Sequence, residues 1–236
     1  MTANPDTPRS RRDRPAKPPL TREGIVTAAV RVMKDEGLGK VTMRRLAQEL
    51  DTGAASLYVY FGNADALHAA ILDRLLGTVE QPPARGPWRA RLEAVLASCT
   101  GVLFTHPSLA RAALSARPSG ENYLTLIETL LALLAEGGVP PRQAAWGVDV
   151  LLQYATSTAA EHATQQASDS AGNDWDALTQ ALHAADPDDR PHIAAHAGAL
   201  LSGTPEERFG WGVAVLLTGI LHTPAPGGTQ EGAETP

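Results

Sequence analysis

The chain has 236 residues, enough for a small domain joined to a larger one, and 43% of them are apolar, enough to supply a core. Its one cysteine, Cys99, excludes an internal disulfide and a cysteine-based zinc site. The formal net charge of −6 argues against a protein whose whole surface binds polyanions.

The charge is distributed unevenly along the chain. Residues 1–76 contain 12 Lys and Arg against 9 Asp and Glu, a balance of +3. The remaining 160 residues contain 8 against 17, a balance of −9. Only the first part therefore suits a partner that carries phosphates.

The two ends of the chain have the composition of disordered segments. Residues 1–19 contain five prolines and no apolar periodicity, and their basic residues are Arg9, Arg11, Arg12, Arg14 and Lys17. We predict a disordered basic arm over 1–19 and a disordered tail over 225–236. The arm lacks the apolar stretch of a secretory signal, and the chain has no run of about 18 apolar residues, so we expect a cytoplasmic protein without a membrane partner.

Short helices are predicted from residue 20 to residue 80. Thr21 is the expected N-cap of the first, which carries apolar residues at spacings of three and four and ends at Gly37. The next two are expected over 42–50 and 54–60, and Asn63 caps a fourth. Only Asp51-Thr52-Gly53 separates the second helix from the third, which is the spacing of a helix-turn-helix.

Beyond residue 80 the pattern is helical, and no strand is predicted. The expected helices are Pro87–His106, Leu109–Leu114, Tyr123–Glu136, Pro141–Gln165, two short ones between Trp175 and His196, and a last one from Thr204 to Leu221. Residues 166–175 are polar and predict a loop.

The last predicted helix is apolar all round. The residues that surround it are Phe209, Trp211, Val213, Val215, Leu216, Leu217, Ile220 and Leu221. Such a helix is buried on more than one side, either between its own bundle and a second subunit or at the centre of a single core. The sequence leaves both alternatives open.

The helix-turn-helix resembles a known family in its residues as well as its spacing. The stretches are Thr42-Met43-Arg44-Arg45-Leu46-Ala47-Gln48-Glu49-Leu50, Ser56-Leu57-Tyr58-Val59-Tyr60-Phe61 and Asn63-Ala64-Asp65-Ala66-Leu67. Together they closely resemble the DNA-binding domain of the tetracycline-repressor (TetR) family, over Leu20 to Leu76. The later region resembles the family only in its helical layout and in the closing helix from Arg208 to Leu221.

The resemblance implies an all-α fold with an N-terminal three-helix helix-turn-helix DNA-binding domain over 20–80. A C-terminal helical bundle over 81–224 would serve ligand binding and dimerisation. The implied function is a ligand-responsive transcriptional regulator, a repressor, that binds a palindromic double-stranded DNA operator as a homodimer and is released by a small-molecule effector. No enzymatic activity and no cofactor are expected.

Nine residues are the candidate DNA contacts: Thr42, Arg44, Arg45, Gly53, Ala54, Ala55, Ser56, Tyr58 and Tyr60. Thr42 caps the second helix where a phosphate can dock. Arg44 matches the family position that reaches a base edge, whereas Arg45 is expected to serve the DNA backbone or a neighbouring carboxylate. The four small residues of the third helix permit close approach to bases, and the two tyrosines resemble the family's phosphate contacts, although packing alone also explains them.

Two positions depart from the family pattern. Val59 and Ala64 stand where many members carry an aromatic or basic residue. Affinity for the DNA backbone is therefore expected from the arginines of the amino-terminal arm. Asp51 replaces a common turn glycine, which is tolerable because Asp adopts the left-handed conformation more readily than most residues.

Candidate effector contacts are the polar and aromatic side chains on otherwise aliphatic helices: Phe104, His106, Tyr123, Trp146, Gln153, Tyr154 and His162. His192 and His196 are four residues apart near Asp186, Asp188 and Asp189, but no third ligand has a fixed spacing, so we predict no metal site.

Two other functions remain as alternatives. One is an architectural DNA-binding protein without an effector, since a fold does not settle a function. The other is an all-helical enzyme, which the absence of a nucleophile motif, a phosphate loop or a paired acid motif disfavours.

Overall fold

The structure, a computed structural model, describes residues 19–114, 118–168 and 171–226, and in these residues it contains eleven α-helices, one short 3-10 helix and no strand. The helices are α1 (Arg22–Glu36), the 3-10 helix (Leu38–Lys40), α2 (Met43–Glu49), α3 (Ala54–Tyr58), α4 (Ala64–Leu76), α5 (Trp88–Phe104), α6 (Pro107–Ala113), α7 (Glu121–Glu136), α8 (Pro141–Gln166), α9 (Ala171–His183), α10 (Pro191–Leu201) and α11 (Pro205–His222). The all-α prediction is confirmed for the described residues. The predicted arm and tail fall almost wholly outside them.

Local hydrogen bonds explain where the first helices begin. The Thr21 hydroxyl accepts from the amide of Gly24, and the Thr42 hydroxyl accepts from the amide of Arg45. The Asn63 side chain caps α4 in the same way. All three predicted N-caps are thus confirmed, and each satisfies an amide that its helix leaves without a partner.

The turn between α2 and α3 has the predicted left-handed residue. Asp51 has a φ of 48°, the one positive φ at a non-glycine position in the described residues. Leu46 and Leu57 are fully buried on either side of this turn. The turn and the two leucines together fix how α3 projects from α2.

Helix α4 lies between two layers of helices, the first containing α1 to α3 and the second containing α5 to α8 and α11. It contacts α1 on one side and α5, α6 and α7 on the other. Leu67 and Ile71 are completely buried, and the buried core runs without a break from α1 into α7 and α8. A displacement of α4 therefore affects both layers, because close-packed side chains transmit strain.

Helix α8 is the long central element of the second layer, and it contacts α5, α6, α7 and α11. A Cβ atom on Gly147 would lie 2.8 Å from Cγ2 of Ile220, and one on Gly212 would lie 2.1 Å from the Tyr154 hydroxyl. These two contacts show that α8 and α11 run antiparallel and approach each other closely at glycines.

The outward side of α11 remains apolar and exposed. Only Val213 and Leu217 are buried on this helix, whereas Trp211 is 73% exposed and Val215 is 47% exposed. The alternative that α11 lies at the centre of a single core is therefore wrong, because its second apolar face has no partner within the described part of the chain.

The polar segment 166–175 is predicted to be a loop, and this is wrong for residue 166, which ends α8, and for residues 171–174, which precede the predicted helix start at Trp175. Helix α9 begins at Ala171, with Asp174 in its first turn, where the helix dipole favours an acidic residue. None of its residues is buried. A polar composition here marks an exposed helix rather than a loop.

Other boundaries differ from prediction by two to five residues. α3 ends two residues early, α7 begins two residues early, and the second helix of the α9–α10 pair continues five residues past His196 to Leu201. Among the described residues no helix combines the length and the apolar character needed to cross a membrane.

Candidate functional site

The outer side of α2 and α3 is an exposed surface built on a buried base. Ala47 and Phe61 are buried beneath it, as are Leu46 and Leu57. The exposed predicted DNA contacts are Thr42, Arg44, Gly53, Ala55, Ser56 and Tyr58. The fold thus leaves most of the candidate residues accessible on one helix pair, with small side chains at the start of α3 that allow close approach.

The two candidate tyrosines have different surroundings. Tyr58 is 54% exposed, so its ring is available to a partner. Tyr60 is partly buried, and its hydroxyl donates to the carbonyl oxygen of Leu20 at 2.7 Å. Its own carbonyl accepts from Arg22 at 3.0 Å. The hydroxyl of Tyr60 therefore already anchors the segment before α1, which favours packing over its predicted contact with a phosphate.

Arg45 lies in an ion-pair network that joins α1 to α2. Its guanidinium donates to Glu36 at 2.6 Å and to Glu49 at 2.9 Å, and Arg31 also pairs with Glu49. Hydrogen bonds from Arg45 lower the pKa of both glutamates and raise the pKa of the guanidinium itself. This geometry matches the alternative of a neighbouring carboxylate, and the network positions α2 rather than offering a free cation to DNA.

Replacing Arg45 by Met is expected to lower thermal stability most near neutral pH. The glutamate pKa values are depressed in the folded chain, so the stabilisation is present above their unfolded pKa and is lost as the pH falls through the folded pKa. Circular dichroism melts between pH 7 and pH 3 measure this, with Arg44→Met as the matched control outside the network. A difference between Arg45→Met and the parent that stays constant over the whole range would contradict the network's role.

A cavity lies between α4, α5, α7 and α8, beside the end of α6. It has a volume of about 230 Å³, and its lining residues are Leu72, Leu76, Cys99, Leu103, Ala113, Leu114, Pro118, Tyr123, Leu126, Asp149, Leu152, Gln153, Thr156 and Ser157. Leucines of α4, α5 and α7 form one wall, and a polar row on α8 faces them. An apolar pocket with a few convergent polar groups is the usual form of a small-molecule site.

Cys99 contributes to the apolar wall. Burial raises the pKa of its thiol to about 12. The thiol therefore stays protonated near neutral pH and has little nucleophilic character, so it acts as a small apolar side chain.

Two of the seven predicted effector residues, Tyr123 and Gln153, line this cavity. The other five lie elsewhere. The rings of Phe104 and His162 are in contact, with 4.4 Å between their centroids, and the ring of Tyr154 stacks on Phe209. Trp146 is exposed beneath the guanidinium of Arg142, and His106 precedes α6. Partial burial, and to a lesser extent Lys34, lowers the pKa of His106. The roles of these five residues in effector binding stay predictions, and the lining of this cavity does not support them.

The sequence prediction missed most of the polar row on α8. Asp149, Gln153 and Thr156 are spaced by four and three residues, so they share one helix side. That spacing indicates a shared helix side, and Gln153 is the one residue of the three among the predicted effector contacts.

The two spaced histidines do not form part of a metal cluster in the region described. A ring nitrogen of His196 lies 2.8 Å from the carbonyl oxygen of His192. No group of three His, Cys, Asp or Glu side chains suited to a metal is found among the described residues.

Comparison with known proteins identifies both parts of the chain. Residues 25–71 match the family model described as bacterial regulatory proteins, tetR family, and residues 81–223 match the model of the tetracyclin repressor-like C-terminal domain. An HTH-type transcriptional repressor of Streptomyces coeruleorubidus is 29% identical over 89% of this chain and 80% of its own.

Solved structures are similar over almost the whole described length. A protein from Streptomyces coelicor whose structure is described as that of a transcription regulator is 55% identical, over 90% of this chain and all of the other, with a TM-score of 0.76. The TetR family protein ActR of Streptomyces coelicolor, solved in complex with actinorhodin, is 35% identical over 86% of this chain and 96% of the other, with a TM-score of 0.77.

Proposed function

Because this chain belongs to the tetR family of bacterial regulatory proteins and is a ligand-responsive transcriptional repressor rather than an enzyme, we propose that it binds a palindromic operator as a homodimer and leaves it when a small molecule fills the cavity. One observation carries this proposal. Leu72 and Leu76 of α4, the helix that packs directly on α1, also form a wall of the cavity. An occupant of the cavity thus touches the element that supports the helix-turn-helix.

The proposed DNA contacts are the exposed residues of α2 and α3. Arg44 of α2 is exposed, and a guanidinium can pair bidentately with guanine. Ala54, Ala55 and Ser56 are small enough to let the α3 backbone approach the bases, and Tyr58 would donate to a phosphate. Thr42 would present the start of α2 to the DNA backbone, and the basic arm would supply further phosphate contacts.

The homodimer is proposed to form through the outward sides of α8 and α11. Trp146 and Val150 of α8 are 52% and 40% exposed, and Trp211 and Val215 of α11 are exposed as well. Because α8 and α11 pack side by side, these residues would form one apolar surface, and a contiguous exposed apolar surface is typical of an interface between proteins. A twofold axis through this surface would make a four-helix interface.

Release of the operator requires only a small movement. Two recognition helices must fit half-sites about 34 to 36 Å apart, so a slight rotation of each protomer disturbs the match. The effector must bind the released arrangement more tightly, by about 1–3 kcal/mol in a typical case. We propose that the domains divide at residues 20–80 and 81–224 and that the protein acts in the cytoplasm, where its operator lies.

Footprinting of the promoter region beside its own gene tests the proposal. We expect a protected palindrome. Native mass spectrometry of the purified protein identifies a retained small molecule, and we expect adding that molecule to remove the protection. Actinorhodin is a second compound to test, because ActR was solved with it. A footprint without a palindrome would refute operator binding as a dimer. Protection that withstands the retained molecule would favour the architectural alternative.

A further inference from the structure

The first turn of α7 is capped by a residue of another helix. Gly120 precedes α7 and has no side chain that could cap it. Asp73 of α4 caps the helix instead. Its Oδ1 accepts a hydrogen bond from the backbone amide of Tyr123 at 2.9 Å, and its Oδ2 accepts one from the Asn122 side chain at 3.1 Å. A carboxylate at a helix N-terminus satisfies free amides and complements the helix dipole.

Two glycines make room for this contact. A Cβ on Gly120 would lie 2.2 Å from Oδ2 of Asp73, and one on Gly77 would lie 2.7 Å from Oδ1 of Asn122. Any larger residue at either position would force the carboxylate or the amide to move. The contact between α4 and the start of α7 is therefore closely packed at both glycines.

This contact between α4 and α7 lies between the cavity and the helix-turn-helix. Tyr123, whose amide is bound by Asp73, lines the cavity together with Leu72 and Leu76, which lie close to Asp73 on α4. The next residue, Arg74, donates to Thr27 at 3.0 Å and to Glu23 at 3.3 Å, both on α1. A continuous series of contacts thus runs from the cavity wall through Asp73 and α4 to the first helix of the DNA-binding region.

We propose that Asp73 is a positioning residue that couples occupancy of the cavity to the placement of α4, through its cap on α7. This inference rests on the proposed function of the cavity as the effector site. An occupant that displaces the first turn of α7 breaks the charge-assisted hydrogen bonds to Asp73, so α4 is no longer held in the DNA-binding arrangement.

A covalent occupant tests the coupling without knowledge of the natural effector. In Gln153→Cys, the new thiol lines the cavity and takes monobromobimane, whereas the buried Cys99 thiol, with its pKa of about 12, stays unlabelled. The parent chain, treated in the same way, verifies this. Affinity is measured by fluorescence anisotropy on a DNA duplex that the wild-type chain selects from a random pool.

The variants separate capping from coupling. Asp73→Ala removes the cap from α4, and adding Gly120→Ser to Asp73→Ala restores a cap within α7 itself but leaves α4 disconnected. The melting temperature and hydrogen exchange of residues 121–126 should therefore return to wild-type values in this double variant. Asp73→Asn keeps the shape and loses the charge. Glu128→Gln, an exposed carboxylate of α7, is the matched control.

Coupling is read as the ratio of operator affinities before and after labelling. We expect labelling to weaken operator binding at least about tenfold with Asp73 present and in Glu128→Gln, less than about twofold in Asp73→Ala with Gly120→Ser, and by an intermediate factor in Asp73→Asn. An undiminished ratio in the double variant and in Asp73→Asn would overturn the role of Asp73 alone. A label without effect when Asp73 is present would overturn the effector cavity and, with it, this inference.

Discussion

A single charge on the outward side of α11 is expected to abolish operator binding while the protomer stays folded. Val215 is 47% exposed, so Val215→Asp costs an isolated protomer little. In the proposed dimer the twofold axis buries the new carboxylate twice, without a partner, and an uncompensated buried charge typically costs about 3–5 kcal/mol. A monomer meets only one half-site, so operator affinity should fall more than about 100-fold.

Sedimentation velocity and anisotropy with the operator measure these two effects together. Leu124→Asp is the matched control, because Leu124 is an apolar residue of α7 with a similar exposure of 51%. It should leave both the dimer and the operator affinity unchanged. A Val215→Asp protein that remains dimeric would show that the subunits meet through another surface.

Arg44→Ala is expected to weaken operator binding about 5- to 150-fold, corresponding to the 1–3 kcal/mol of a bidentate contact with a base. Discrimination should relax at one base pair of each half-site, whereas a residue that contacts only phosphates would weaken all sequences alike. Arg44→Lys should lose most of the discrimination, since an ammonium cannot form the paired hydrogen bonds.

Binding to a set of operators with single base changes distinguishes these outcomes. Gln48→Ala, one turn further along α2 and also exposed, serves as the control. Combining Arg44→Ala with Tyr58→Phe should remove a base contact and a phosphate contact together. An unchanged footprint of that double variant would refute the assigned DNA surface.

The start of most helices was predictable because it depends on neighbouring residues. The hydroxyls of Thr21 and Thr42 and the Asn63 amide each bond an amide three residues further along, so a short stretch of sequence contains the whole interaction. The left-handed turn at Asp51 is local in the same sense. The first turn of α9 shows the limit, since residues 171–174 are small or polar and precede the apolar spacing that begins at Trp175.

The cavity was only partly predictable. Polar and aromatic residues on aliphatic helices include Tyr123 and Gln153, which line the cavity, but also Tyr154, whose ring packs on α11. Which side of α8 faces α4 and α7 depends on how four helices pack. Gln153 and Tyr154, although adjacent in sequence, therefore have different surroundings.

The helix-turn-helix, its caps, its turn and its membership of a family were determined by the sequence alone, because they rest on interactions between residues a few positions apart. Only the tertiary structure decided that Arg45 binds Glu36, that the Tyr60 hydroxyl binds Leu20, and that Asp73 caps a helix 50 residues away. These contacts depend on the relative placement of whole helices. That placement is set by the summed burial of many side chains, which no single motif records.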